Sequence, residues 1–188
     1  MCGIYGYIGT PKNPAAVYGM LKILAVATEV RGIHSTGFVA VNDSDYYHER
    51  RLVRAAHFFR EVDVESVIKK DCYFFLGHNR WASVGEILVE NAHPFKGDKY
   101  FLAHNGTCHD AVRLMKMAGL KTKGTTDSEA LLVLTEAFGR GALRRFSNLS
   151  VVMVDYMSAE ENMLFYRDAY NPMCYCDLRD VLGVVYIS

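Results

Sequence analysis

Cysteine stands at the second position of the chain, directly after Met1. Initiator Met is commonly removed before a small residue, and removal would leave Cys2 with both a thiol and a free α-amine. An α-amine titrates near pH ~8, so it can take the proton of its own thiol at neutral pH. Such a residue is a self-contained nucleophile and base, the N-terminal variant of covalent catalysis. Taken alone, a Cys here is more often a small buried hydrophobe. Asn105-Gly106 follows His104 at the end of an apolar run. A side-chain amide and a Gly backbone N–H can form a two-donor oxyanion hole, although Asn-Gly is also a common turn dipeptide. Arg80 offers a planar cation that grips a carboxylate through two parallel hydrogen bonds; a surface ion pair is its plainer reading. Asp127 is a carboxylate at a helix start, where capping alone would account for it. Together, Arg80 and Asp127 carry the charges needed to clamp an α-amino acid by both ends.

Other polar residues carry less. His34, His78, His93 and His104 lie in or beside the same segments. No two share an i,i+4 face with a carboxylate, so no metal site is expected and they read as loop or core histidines. Ser35 has no nucleophile elbow around it. Cys72, Cys108, Cys174 and Cys176 read as free thiols; the Cys174-x-Cys176 pair has neither a His nor a second pair nearby.

These residues need a scaffold. Residues 2–8 are apolar with Gly3 and Gly6 among them, and predict a buried strand in which backbones approach closely. Residues 15–30 repeat Ala16, Met20, Ile23, Leu24 and Ala27 at helical spacing. Residues 31–37 predict a loop, followed by strands over 38–41 and 48–53 and a short helix over 62–70. Residues 72–76 predict a strand that runs into a polar loop over 77–85, and 91–94 predict another loop. A strand over 100–103 ends in 104–106, and a helix covers 110–117. Thr126-x-x-Glu129 is a capping box ahead of an apolar helix that Gly139 and Gly141 stop. Residues 151–154, 163–166 and 181–187 predict closing strands. Strands, then helices, then strands suggest packed α+β layers.

Composition bounds the function class. The 188 residues are 51% hydrophobic and 22% charged, with 21 basic and 21 acidic residues and a net charge of zero. That suits one globular domain with a sizeable core, and argues against a protein whose main task is gripping nucleic acid or an anionic membrane. No segment approaches the apolar length of a membrane span, and the N-terminus has no signal pattern, so a cytoplasmic location is expected.

The order of the motifs is more telling than any one of them. Met1-Cys2-Gly3-Ile4, Arg31-Gly32, Gly77-His78-Asn79-Arg80-Trp81-Ala82-Ser83, Asn91-Ala92-His93-Pro94, Ala103-His104-Asn105-Gly106 and Thr126-Asp127-Ser128-Glu129 resemble the glutaminase domain of the class II glutamine amidotransferases. These are N-terminal nucleophile hydrolases, and the likeness is strongest to the glutaminase half of the glucosamine-6-phosphate synthases. The resemblance implies a four-layer αββα sandwich over residues 1–188, with the last strands of the pattern missing and no acceptor or synthase domain. It implies that Cys2 attacks the side-chain amide of L-glutamine, with Asn105 and Gly106 as the oxyanion hole. It further implies that Arg80 holds the glutamine carboxylate, Asp127 holds its ammonium, and Trp81 and Ser83 belong to a loop that closes over the pocket. Arg31 would order the N-terminal region, and His93 would be part of the pocket wall. No cofactor is expected. A separate synthase chain is the expected recipient of the ammonia. Two departures stand out: Val84 replaces a His of the family's R-W-A-T-H-G loop, and His34 replaces an acidic residue. Two alternatives stay open. One is an idle relative that binds glutamine or a protein; the other is an N-terminal-cysteine amidohydrolase acting on a different amide.

Overall fold

The computed structural model describes residues 2–158, 163–180 and 182–188. Two antiparallel sheets carry the fold. The larger has six strands in the order β3 (Tyr46–Arg51), β2 (Ser35–Val41), β4 (Phe74–Arg80), β1 (Gly3–Ile8), β10 (Gly183–Ile187), β9 (Cys174–Leu178). The smaller runs β5 (Phe95–Lys96), β6 (Tyr100–Gly106), β7 (Leu149–Asp155), β8 (Met163–Arg167).

The alternation of side chains along each strand builds the layers. On β1, Tyr5 and Tyr7 turn to one face; there they meet Val17, Leu21 and Ala25 of helix α1 (Pro14–Ala27) and Phe58 of α2 (Ala55–Glu61). The helix α3 (Val64–Ile68) closes the same layer through Val64 and Ile68. Ile4 turns to the other face and packs with Leu76 of β4 against Phe101, Ala103, Val152 and Val154 of the smaller sheet. The outer face of that sheet presents Leu102, Val151 and Met153 to α4 (His109–Met117) and α5 (Asp127–Phe138). The result is helices, sheet, sheet, helices: the expected αββα sandwich. Phe75 anchors the first helical layer, with its ring stacked 4.9 Å from Phe38 and 6.3 Å from Tyr7. Burying one such ring contributes on the order of 2–3 kcal/mol.

The structure departs from the sequence reading where polar residues run through a strand. Residues 77–80 are not the start of a loop: β4 continues through His78, Asn79 and Arg80, paired on one side with β1 and on the other with β2. Two full ladders outweigh the weak strand preference of Gly and Asn. Likewise β2 begins at Ser35, inside the segment read as a loop. The short helix α2 and the strands β5 and β9 carry too little periodicity to be read from the sequence. Val181, the start of the predicted last strand, lies outside the described residues. The helix start at Thr126 does cap, accepting from Glu129 N at 3.2 Å, but Glu129 itself accepts from Lys123 N and Gly124 N instead of closing the box.

Asn79 ties two of these layers together. Its buried amide donates to Ala25 O at 2.6 Å and Thr28 Oγ1 at 2.8 Å, and accepts from Thr36 Oγ1 at 3.3 Å. Asn79→Ala strands these partners without water. It is expected to lower unfolding stability by about 3 kcal/mol in urea titration; a loss below ~1 kcal/mol would show that the tie contributes little.

Candidate active site

The site is assembled where strand ends from both sheets meet. Pairing of Gly3 with Asn79 sets Cys2 beside the end of β4. There its Sγ accepts from Trp81 N at 3.3 Å and lies 3.5 Å from Trp81 O. Arg31 holds the other side, its Nε donating to Cys2 O at 2.7 Å. Gly32 lets these backbones meet: a Cβ there would sit 2.5 Å from Arg80 C and 2.7 Å from Trp81 N. Across from the thiol, β6 ends at Gly106, whose φ of 128° and contact with Asn148 O leave no room for a side chain. The N-terminus of α5 supplies Thr126, Asp127 and Ser128.

Together these groups line a small, partly open cavity of about 20 Å³, walled by Cys2, Arg80, Trp81, Ser83, Val84, His93, His104, Gly106, Thr126, Asp127 and Ser128. Its volume suits about one water, far less than an amino acid needs. The segment after Arg80, expected from the resemblance to act as a lid, forms one side of this wall through Trp81, Ser83 and Val84. The Arg80 guanidinium reaches under it, donating to Val84 O at 2.6 Å and Glu86 O at 3.0 Å, and Asn91 Nδ2 also holds Glu86 O at 3.0 Å. A roomier hollow of about 440 Å³ lies among β8, β9 and β10, but its wall is largely apolar and contains none of these groups.

Of the residues singled out in the sequence, Cys2, Arg80, Trp81, Ser83, His93, Gly106 and Asp127 share this one wall. Arg31 supports it from behind. Asn105 does not line it. Strand alternation turns its side chain between the sheets, where Nδ2 lies 3.2 Å from Ser188 O and 3.3 Å from Ser188 Oγ. The residues missed are the supports: Thr126 and Ser128 in the wall, Asn91 under the lid, and His104, whose Nδ1 meets Ser128 Oγ at 3.0 Å. The capping box and the Asn91-Ala92-His93-Pro94 and Ala103-His104-Asn105-Gly106 motifs contained them without marking their roles.

The electrostatics follow from burial. Burial pushes the Cys2 thiol above its ordinary value; the hydrogen bond from Trp81 N and the charge of Arg80 pull it back, and Asp127 adds to the rise. The resting group is therefore a thiol, and attack requires a base. Asp127 is buried, with Oδ2 accepting from Cys108 N at 2.6 Å and Oδ1 from Ser128 N at 3.0 Å. Arg80 is likewise buried: desolvation lowers its pKa, while Cys2 and Asp127 raise it. The nearby imidazoles are held neutral: burial takes His78 down to about 3 and His104 to about 4, and His93 falls well below its usual value. His78 and His93 stack at 4.0 Å, a contact that suits neutral rings. Among the described residues, no group of His, Cys, Asp or Glu is placed to hold a metal ion, and no helix is long and apolar enough to cross a membrane.

An N-terminal cysteine set in an αββα sandwich defines an N-terminal nucleophile architecture, and comparisons with known proteins agree. No protein-family model matches the chain. Glutamine–fructose-6-phosphate aminotransferase of Aquifex aeolicus is 33% identical over 150 residues, covering 76% of this chain and 24% of that protein. The enzyme of the same name from Bacillus spizizenii is 31% identical over 148 residues, covering 76% and 23%. The chain thus spans about a quarter of the length of the curated relatives it matches. Among solved structures, glutamine phosphoribosylpyrophosphate amidotransferase of B. subtilis superposes with a TM-score of 0.73 at 18% identity, covering 99% of this chain and 41% of that one. A glutamine aminotransferase class-II domain protein from Silicibacter pomeroyi gives 0.61 at 19% identity, covering 99% and 88%. The chain belongs to the class II glutamine amidotransferases.

The neutral histidines set a pH limit. Their folded pKa values lie below the unfolded value near ~6.5, so the unfolded chain binds more protons as pH falls. Stability is therefore full above that value and is lost as pH falls toward 4, with each of His78, His93 and His104 adding up to about 1.4 kcal/mol per pH unit. Urea titrations from neutral pH downward measure this, and a flat profile would contradict the buried neutral assignment.

Proposed function

We propose that this domain hydrolyses the side-chain amide of L-glutamine to glutamate and ammonia, and that the ammonia passes to a separate synthase chain or domain. The observation that carries this reading is the shared wall: a thiol, a buried guanidinium and a buried carboxylate face one cavity. Arg80 and Asp127 bear the charges that a free α-amino acid presents in reverse. An N-terminal-cysteine hydrolase for an amide lacking one of those charged ends would leave a buried charge unpaired, which is costly.

The chemistry proceeds from these groups. In the 188-residue sequence the Cys2 nitrogen is acylated by Met1. Removal of Met1 turns it into an amine that can take the thiol proton. The thiolate attacks the glutamine carbonyl carbon, and its electron pair forms the C–S bond as the carbonyl pair moves to oxygen. The Gly106 N–H is the oxyanion donor in the cavity wall. For Asn105 to be the second donor, its amide must exchange Ser188 for the oxyanion. Removing one donor of such a pair typically costs about 3 kcal/mol of transition-state stabilisation. Collapse breaks the C–N bond, and the ammonium of Cys2 protonates the departing ammonia. Water then attacks the γ-glutamyl thioester, its proton passes to the Cys2 amine or thiolate, and glutamate leaves. The lid must open to admit glutamine, because the closed cavity holds about one water. Re-closure excludes water from the thioester until ammonia has left.

Two measurements test the reading. Intact mass after exposure to a diazo-ketone glutamine analogue should show a chain without Met1 carrying one adduct at Cys2. Retained Met1 with no adduct supports the idle relative instead. Cys2→Ala should cut glutamate release at least about 10³-fold while glutamine still binds, and Asp127→Asn should raise KM about tenfold or more. Full turnover in Cys2→Ala would sink the mechanism.

A further inference from the structure

We propose that His34, as an uncharged imidazole, is a positioning residue that latches the lid segment shut over Cys2. The latch would act on the reaction proposed above. Three contacts place it. The His34 backbone N–H donates to Arg80 O at 3.0 Å, fixing the residue at the root of the lid. Its Nδ1 accepts from Ala82 N at 2.9 Å. Its ring lies 4.7 Å from the Trp81 ring at 33°. Trp81 in turn caps the thiol through its N–H and is itself 45% exposed, and the His34 ring covers one side of it.

The other ties on the lid differ in kind. Arg80 keeps its charge throughout the physiological range and Asn91 has none to lose. His34 accepts through a nitrogen that must be unprotonated. Protonation turns that nitrogen into a donor aimed at another N–H, and the bond is lost. Of the charged or titratable residues, Arg80 on β4 touches it through its backbone carbonyl, and Cys2 lies one contact further, through Trp81 N. The geometry therefore assigns His34 the lid's acid-sensitive hold: closed when the imidazole is neutral, loosened when it charges.

Trp81 is the single tryptophan of the chain, which gives a direct reporter. The experiment compares the full chain with His34→Ala and His34→Asn. Asn places Oδ1 close to where Nδ1 stands, so it keeps the acceptor while losing the ring and the titration. Iodoacetamide labelling of Cys2, resolved from the exposed Cys174 and Cys176 by peptide mapping, reads lid opening at one fixed pH. His34→Ala should label about tenfold faster, the size of a hydrogen bond plus a ring contact, and His34→Asn should recover most of the protection. Acidification of the unmodified chain should give a step in Trp81 emission, and His34→Asn should lack it. Equal labelling rates in a folded His34→Ala chain, or an emission step that persists in His34→Asn, would overturn the latch. Should His34→Ala fail to fold, the emission step in His34→Asn decides alone. Glutamate release assayed on the same samples separates the two ideas. Turnover with an indifferent His34 rejects only the latch; labelling that responds to His34 without any glutamate release rejects only the glutamine reading.

Discussion

The register of β1 against β4 is the constraint on which the site depends. Gly3 opposite Asn79 fixes where Cys2 falls, and a slip of one residue would turn Tyr5 and Tyr7 into the space between the sheets and Ile4 into the helical layer. The register is secured on both sides, because β1 also pairs with β10 and Ile4 exchanges both backbone hydrogen bonds with Ser188. An N-terminal nucleophile is usually the most poorly held part of a chain, since termini fray. Here Cys2 runs directly into a central strand, and its own carbonyl is held by Arg31, so its backbone is tied to the core.

That placement has an electrostatic consequence. A thiol at the end of a buried strand is desolvated, which disfavours its ionised form. The surroundings do little to reverse this. The imidazoles nearest the cavity are driven neutral by the same burial, and the cation, Arg80, is already bonded to lid carbonyls. The site therefore does not store a thiolate. In the proposed reaction the protonated thiol sits next to a nitrogen that becomes basic only when the chain is cut after Met1, so processing and activation would be one chemical event.

Legibility in the sequence followed the physics of each element. The α1 stripe and the capped start of α5 could be read because a helical face or a cap is a local pattern. Cys2, Arg80, Gly106 and Asp127 were found as motifs, and the sandwich brought them to one wall. The end of β4 was misread because His78, Asn79 and Arg80 look like loop residues. What makes them strand is pairing with β1 and β2, residues more than 70 and more than 40 positions away. Asn105 shows the same limit on a smaller scale: the dipeptide suggests a donor, yet strand alternation alone decides that the amide faces Ser188 and not the cavity. The roles of Asn91 and His34 were not legible for a further reason, since their side chains act on backbone groups that no side-chain pattern records.

Closure is where these strands of argument meet. If glutamine binds as proposed, a cavity of about 20 Å³ is too small for it, and the arrangement seen here competes with glutamine for the same space. Every tie that stabilises the empty closed lid lowers apparent affinity by the fraction of time the site is shut. Ties that persist when glutamine is bound give that loss back, because they also hold the filled lid. Arg80 cannot be such a neutral element: if it turns to grip a carboxylate, its bonds to Val84 O and Glu86 O must loosen, coupling substrate arrival to lid release. His34 and Asn91 lie outside the cavity wall and can keep their bonds in both states. The lid is thus held by two kinds of contact, one that substrate must displace and one that it need not. The balance between them sets how readily the site opens.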